Sequence, residues 1–506
     1  MRIQPKGTIE ETIEMLNLND PIILSDAPPR KWSPYQKAIY QAGELSSDNL
    51  IIQAVAGSGK STTLEELSRQ LGDSTLLAFN KSIADELKSR GLNARTFHSF
   101  GFALWKANAP AAKMDGRKLW KHMDQVLGRG TLLQKEYGTD IARLVGLLKN
   151  YALGLSSGIW PAEVEDMMGD YELDIPADLI GEAAAAALKI FLASRDDLSC
   201  FDFDDMLYIP VYKNWRFPPC GTLLVDEAQD LNPIQHEIVD RIAQMGSRLI
   251  AVGDRWQAIY GFRGAMSDSM DALQRKFSMK ELPLSVSYRC SQSVVDEAKT
   301  ICPQIEAREG APAGSVGHLR DHPDLWHPAE MIVCRTNAPL FRQVMREIRA
   351  ERPVRVLSNF LESFSAFVKK HGKGITKIED FRKRVDAWYV KESEKLDAQG
   401  VGKRSNRRAA LSDRRETFLC LAERVSTVDE LLLFVSRIAN STEGPIFATI
   451  HKSKGLEAEK VHLLRPDLVP PPWVDPESPN AAQESNLHYV AVTRAKMDFN
   501  YGVKPE

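Results

Sequence analysis

The sequence predicts an α/β protein built on two parallel sheets, each interrupted by a mainly helical insertion. Three observations carry this. Short apolar strands alternate with amphipathic helices in two separate regions. A helix-rich stretch without strand signals divides each region. A Gly-rich loop occupies the first strand-to-helix turn.

The elements follow in order. Leu50-Ile51-Ile52 reads as a buried strand, and the next helix carries Leu64, Leu67 and Leu71 on one face with Gly72 as its stop. Leu76-Leu77-Ala78-Phe79 is the next strand, followed by a helix with Ile83 and Leu87. Residues 106–198 are rich in helix formers, including the alanine run 183–187. Strand signals resume at Thr222-Leu223-Leu224-Val225 and Leu249-Ile250-Ala251-Val252. A second alternating region begins near Leu282 and contains Met331-Ile332-Val333. Residues 355–440 are helical and charge-rich, with a basic section Lys403-Arg404-Ser405-Asn406-Arg407-Arg408. Strands return at Ile446-Phe447-Ala448-Thr449-Ile450 and Val461-His462-Leu463-Leu464. The expected division is therefore 1–105, 106–198 and 199–280 for the first sheet and its insertion, then 281–354, 355–440 and 441–506 for the second.

Bulk properties limit the function classes. The chain has 506 residues, 43% of them hydrophobic and 26% charged, with a net charge of -3. Such a balance gives no overall attraction to nucleic acid, so any such contact has to come from a local basic groove. The six cysteines are scattered without CxxC spacing, which indicates neither a zinc site nor a disulfide framework. Residues 1–20 lack the apolar core of a signal peptide, and no run is long enough to span a bilayer. A cytoplasmic protein with no membrane partner is the expectation.

Ala54-Val55-Ala56-Gly57-Ser58-Gly59-Lys60-Ser61 lies between the first strand and its helix, the context of a P-loop. Glycines let backbone N–H groups close around phosphate oxygens at a helix N-terminus. Lys60 is placed to neutralise β- and γ-phosphates, and Ser61 to offer its hydroxyl to Mg²⁺. Leu223-Leu224-Val225-Asp226-Glu227 supplies the matching strand that ends in carboxylates. Asp226 would hold Mg²⁺ through water, and Glu227 would orient or deprotonate the attacking water.

Asp226-Glu227-Ala228-Gln229-Asp230, followed by the stretch from Gly253-Asp254-Arg255-Trp256-Gln257 through Tyr260, Phe262 and Ala265, resembles the UvrD/Rep-type superfamily 1 DNA helicases. So do Gln36 upstream of the P-loop, Phe79-Asn80-Lys81, Thr96-Phe97-His98-Ser99, Ser287-Tyr288-Arg289-Cys290, Thr449-Ile450-His451-Lys452-Ser453-Lys454-Gly455-Leu456-Glu457, and Asn486 to Lys496. Within the family the motor looks most similar to the F-box DNA helicases, without an F-box segment.

The resemblance implies two RecA-like motor domains with ATP between them. It implies catalytic roles for Lys60, Asp226, Glu227, Gln257, Arg289 and Arg494. ATP would meet Gln36, Gly57, Ser58, Gly59, Lys60, Ser61, Thr62, Tyr288 and Glu457, with Ser61 and Asp226 as metal residues. Phe79, Tyr260 and Phe262 would stack on bases, and Thr96, His98 and His451 would make polar contacts to the strand. The partners implied are single-stranded DNA and duplex junctions, the cofactors ATP and Mg²⁺, and the polarity 3′ to 5′. A translocase that displaces proteins with little unwinding would use the same motor. A helicase-nuclease needs a further carboxylate cluster that is not seen before Glu506. A P-loop small-molecule kinase has no need of the stretch from Gln257 to Ala265, and a scaffold with a dead site has no need of Lys60, Glu227 and Arg494.

Overall fold

The computed structural model describes residues 32–502, apart from 79, 156–157, 172, 174, 176, 262–265, 267, 320–324, 359, 399–400, 403–404, 473 and 475–478. Phe79 and Phe262, expected on the DNA side, and Lys403 and Arg404 of the basic section lie outside the described residues.

Among the described residues the strands are β1 (Leu50–Ala54), β2 (Ser74–Ala78), β3 (Ala94–Thr96), β4 (Lys113–Met114), β5 (Cys200–Phe201), β6 (Thr222–Val225), β7 (Arg248–Gly253), β8 (Lys280–Leu284), β9 (Val286–Ser287), β10 (Glu306–Ala307), β11 (Ser315–His318), β12 (Glu330–Cys334), β13 (Arg355–Leu357), β14 (Ile446–Thr449), β15 (Ala458–Leu464) and β16 (Ala495–Tyr501). Two six-stranded sheets result, ordered β3-β2-β6-β7-β1-β8 and β11-β16-β15-β12-β14-β13. Every pairing in both is parallel. The expected fold class, two parallel-sheet domains of the RecA-like kind, is the one adopted.

The local chemistry explains the elements. β1 is covered on both faces and edged by β7 and β8, so all five residues are buried and four are apolar. The helix Lys60–Leu71 starts from Gly59 at φ 85° and stops at Gly72 at φ 66°, conformations that suit glycine. Its Leu64 and Leu67 pack beneath the sheet. Among the described residues the first insertion has no separate core: Leu148, Ala187 and Phe191 join one apolar cluster with Ile51, Leu77 and Val225 of the sheet. In the second, Phe364, Phe381 and Phe418 cluster with Ile332, Phe341 and Phe447. Among the described residues no helix is long and apolar enough to cross a membrane.

Two expected boundaries need correction. β8 pairs with β1, so the first sheet runs past the expected break at 280/281 to Leu284. Its polar residues and Pro283 suit an edge strand, and they hide the strand from a search for apolar runs. β13 pairs with β14, so residues 355–357 belong to the second sheet, and the inserted helices begin at Phe360. The basic residues of that insertion are accompanied by acids: Arg408 pairs with Asp397 and Arg415 with Asp386. Arg414 lies over the Trp388 ring.

Candidate functional site

The loop after β1 leaves its helix without a side-chain cap, so the first-turn N–H groups of Lys60–Leu71 face open space beside Lys60. Gly57 sits at φ 71° and Gly59 at φ 85°. The Ser58 hydroxyl is buried with no partner among the described residues. This is a cradle for an anion. Gln36 stands behind it. Its side-chain oxygen accepts from the Ser33 N–H (3.0 Å), and its amide donates to the Thr63 hydroxyl (3.3 Å).

β6 delivers Asp226 and Glu227 opposite the loop. Lys60 Nζ is 3.8 Å from Glu227 Oε1. Asp226 Oδ1 accepts from the Glu227 N–H at 2.9 Å. Burial and the neighbouring Glu227 push the Asp226 carboxyl up. Burial also works against the Glu227 charge, but Lys60 and Lys454 outweigh it and hold that carboxyl low. The two carboxyls are thus driven apart, the buried one towards its neutral form and the one facing the lysines towards its charge. Glu227 adopts a left-handed backbone, φ 49° and ψ 44°, a conformation that costs about 1–3 kcal/mol outside glycine.

The second sheet closes the other side. A cavity of about 730 Å³ is walled by Gly57, Lys60, Ser61, Thr62 and Glu227 and, across it, by Tyr288, Arg289, Glu457 and Arg494, with Gln257 also on the wall. Lys454 and Lys496 line it too, so cations dominate the chamber. The Arg494 guanidinium is buried and pinned, donating to Val490 O (2.9 Å) and Leu456 O (3.1 Å). Burial, then the nearby Arg289, lowers its pKa to about 10, and it remains charged at neutral pH. Arg289 Nε donates to Glu457 (2.8 Å), and Lys496 pairs with the other Glu457 oxygen (2.9 Å). Among the described residues, Gln36 and Asp226 do not reach the cavity wall.

Lys454 was not singled out from sequence. It sits between Asp230 and Gln257, donating to Asp230 Oδ2 (2.5 Å) and Gln257 O (2.8 Å). Its ammonium also lies 4.7 Å above the Tyr260 ring. Tyr260, expected to stack on bases, lines the cavity.

The residues expected to touch a strand sit elsewhere. The Thr96 hydroxyl accepts from the Ser99 N–H (3.1 Å) and caps the helix Phe97–Asn108. The His98 ring stacks on Phe203 with centroids 3.8 Å apart, and burial lowers its pKa to about 4, so the imidazole is neutral. Phe203 remains 55% exposed, an aromatic face that the sequence reading missed. His451 lies on the short helix Ile450–Ser453, half-buried.

Comparison with known proteins agrees with this layout. Residues 33–278 match the UvrD/REP helicase N-terminal domain, and residues 329–499 match the UvrD-like helicase C-terminal domain. F-box DNA helicase protein 1 of Schizosaccharomyces pombe is 26% identical over 91% of this chain and 56% of its own length. A probable DNA helicase II homolog of Mycoplasma pneumoniae is 25% identical over 53% of the chain and 42% of its own. The ATP-dependent DNA helicase Rep of Escherichia coli is 26% identical over 52% and 42%. The chain spans about half the length of the curated relatives it matches. With both halves of the family matched in order on its two sheets, the chain belongs to the UvrD/Rep-type superfamily 1 helicases.

Proposed function

We propose that the protein hydrolyses ATP between its two sheets to move along single-stranded DNA, 3′ to 5′, and to unwind duplex at junctions. The observation that carries this reading is one cavity walled by Lys60 and Glu227, which follow strands of the first sheet, and by Arg289, just beyond the short strand β9, and Arg494, just before β16 of the second sheet.

The chemistry follows from what each group can do. Backbone N–H groups around Gly57 and Gly59 and the Lys60 ammonium take the β- and γ-phosphates, with Ser58 and Thr62 beside them. The Ser61 hydroxyl and Asp226 carboxylate are oxygen donors that suit a hard cation, and Mg²⁺ there would neutralise phosphate charge. Glu227, held ionised by Lys60 and Lys454, is ready to orient or accept a proton from the attacking water. Arg494 is already fixed towards the cavity, whereas Arg289 is turned to Glu457 and has to release it to meet the γ-phosphate. Fingers of this kind contribute about 10³–10⁵ in rate. Tyr288, half-exposed at the rim, suits an adenine face, with Gln36 reading its edge and Glu457 meeting the ribose. Phe203 stacked on His98 suits a sequence-tolerant platform for bases, worth about 1–3 kcal/mol per stacked base, with Thr96 and His451 proposed as polar contacts to the strand.

The test is ATP hydrolysis with and without single-stranded DNA, for the intact protein beside Glu227→Gln. DNA stimulation that vanishes in the variant is the expected result. Hydrolysis indifferent to DNA overturns the coupled reading, and none in the intact protein overturns the ATPase reading.

A further inference from the structure

Gln257 sits on a single turn, Arg255–Gln257, between Asp254 and Ala258. The turn has little cohesion of its own. Gln257 N–H donates to Asp254 O (2.9 Å), Ala258 N–H to Arg255 O (3.3 Å) and Trp256 N–H to Asp254 Oδ1 (3.1 Å). The Arg255 side chain pairs within its own unit, with Asp271 and Glu281.

Its remaining anchors come from residues following the second-sheet strands. The Asn486 amide donates to two carbonyls at once, Arg255 O (3.2 Å) and Ala258 O (3.0 Å), and these flank Gln257. Lys454 holds the carbonyl of Gln257 itself (2.8 Å). The Tyr489 hydroxyl accepts from the P-loop N–H of Ala56 (3.0 Å) and lies 3.5 Å from Asp254 Oδ2. That same carboxylate oxygen accepts from the Gln257 side chain at 2.6 Å. Asn486 and Tyr489 share the helix Pro479–Val492, and neither is on the cavity wall.

We propose that Asn486 is a positioning residue: its amide pinches the two carbonyls either side of Gln257, so that the glutamine is set only when the two sheet units are closed. This inference rests on the ATPase reading for its consequence, though not for its geometry. A turn held from across the cleft loosens when the cleft opens, and Gln257 then loses its aim at the γ-phosphate. Sensing of nucleotide and closure of the units become a single event.

Asn486→Asp has the same shape but turns two donors into a carboxylate facing two carbonyls, and Asn486→Ala simply removes them. Amide hydrogen exchange of the full chain, followed on a peptide covering 254–260, should be faster in both variants by about tenfold, as expected where a short turn loses its outside bonds. Unchanged exchange in both overturns the proposal. With single-stranded DNA, kcat for ATP should fall about tenfold while KM stays within about twofold. In a Gln257→Ala background the same substitution should cost less than about twofold more, because the glutamine it positions is gone. A full tenfold loss in that background, or a change confined to KM, overturns the positioning role. If the intact protein hydrolyses no ATP, the functional reading fails, and the exchange measurement still decides whether Asn486 holds the turn.

Discussion

The two helical insertions are fastened to their sheets by different physics. In the first, charge is buried at the joint. Lys118 meets Asp205 at 2.7 Å, and Lys149 meets Asp205 at 2.8 Å and Asp202 at 2.9 Å, with both lysines about 1% exposed. Asp204 accepts from Asn150 (3.2 Å), which accepts in turn from Asn232 (2.9 Å), the cap of the helix just beyond Asp230. The second insertion is held by rings. Phe360 packs on Phe341, and Phe418 on Phe364, Phe367 and Trp388. Its ion pairs to the sheet's own helix, Arg342–Glu416 and Arg349–Glu423, lie in water. A buried charge network has one arrangement in which every member is satisfied, and any slip strands a charge. Ring packing with exposed ion pairs tolerates repacking and small displacement. The first insertion is therefore joined to the carboxylate strand through buried charge, and the second joint rests on its rings and on Asp413, which accepts from the Asn337 N–H (3.0 Å) and the Ala338 N–H (2.7 Å).

The strongest way to break this comparison is Asp205→Asn. It leaves Lys118 and Lys149 buried with reduced partners, and urea unfolding should report a loss of about 3–5 kcal/mol. A loss below about 1 kcal/mol would mean that water reaches the joint and the contrast is void.

A smaller effect tests the same joint by pH. Burial, with Asp202 adding to it, pushes Asp204 up to about 6. A carboxyl raised on folding weakens the fold above its folded pKa, because the unfolded chain ionises freely and the folded one cannot. The penalty is complete above pH 6, shrinks as the pH falls and is gone near pH 4. Asp204→Asn should therefore be more stable than the parent at pH 7, by up to about 3 kcal/mol, and level with it at pH 4. Equal offsets at both pH values would contradict this assignment.

The smallest effect belongs to the second insertion. Arg349→Ala should cost under about 1 kcal/mol, with little change on adding salt. A larger loss would show that the exposed pairs fix that joint after all.

Much of this was legible in sequence because it is local. The P-loop, the strand ending in Asp226 and Glu227, and the helix stopped by Gly72 each declare themselves within a dozen residues. β8 and β13 did not, since an edge strand with Pro283 and a three-residue strand have no apolar run to find. Lys454, Tyr489 and Asn486 stood inside quoted strings yet had no visible task, because their partners lie more than 190 residues away. Phe203 gave no periodic signal. Only the fold sets it against His98. Tyr260 was quoted for its motif, and its place under the Lys454 ammonium on the cavity wall is likewise set by the fold alone.

Gly57 also governs how closely the two sides of the cleft meet. A methyl group there would stand 2.5 Å from the Arg289 Cβ and 2.9 Å from the Ser287 hydroxyl. Those atoms belong to the opposite face of the cleft, so the two faces meet here too closely for any side chain. Its bareness lets the two faces approach, and on the proposed reading that closeness is what brings Arg289 within reach of a phosphate held beside Lys60.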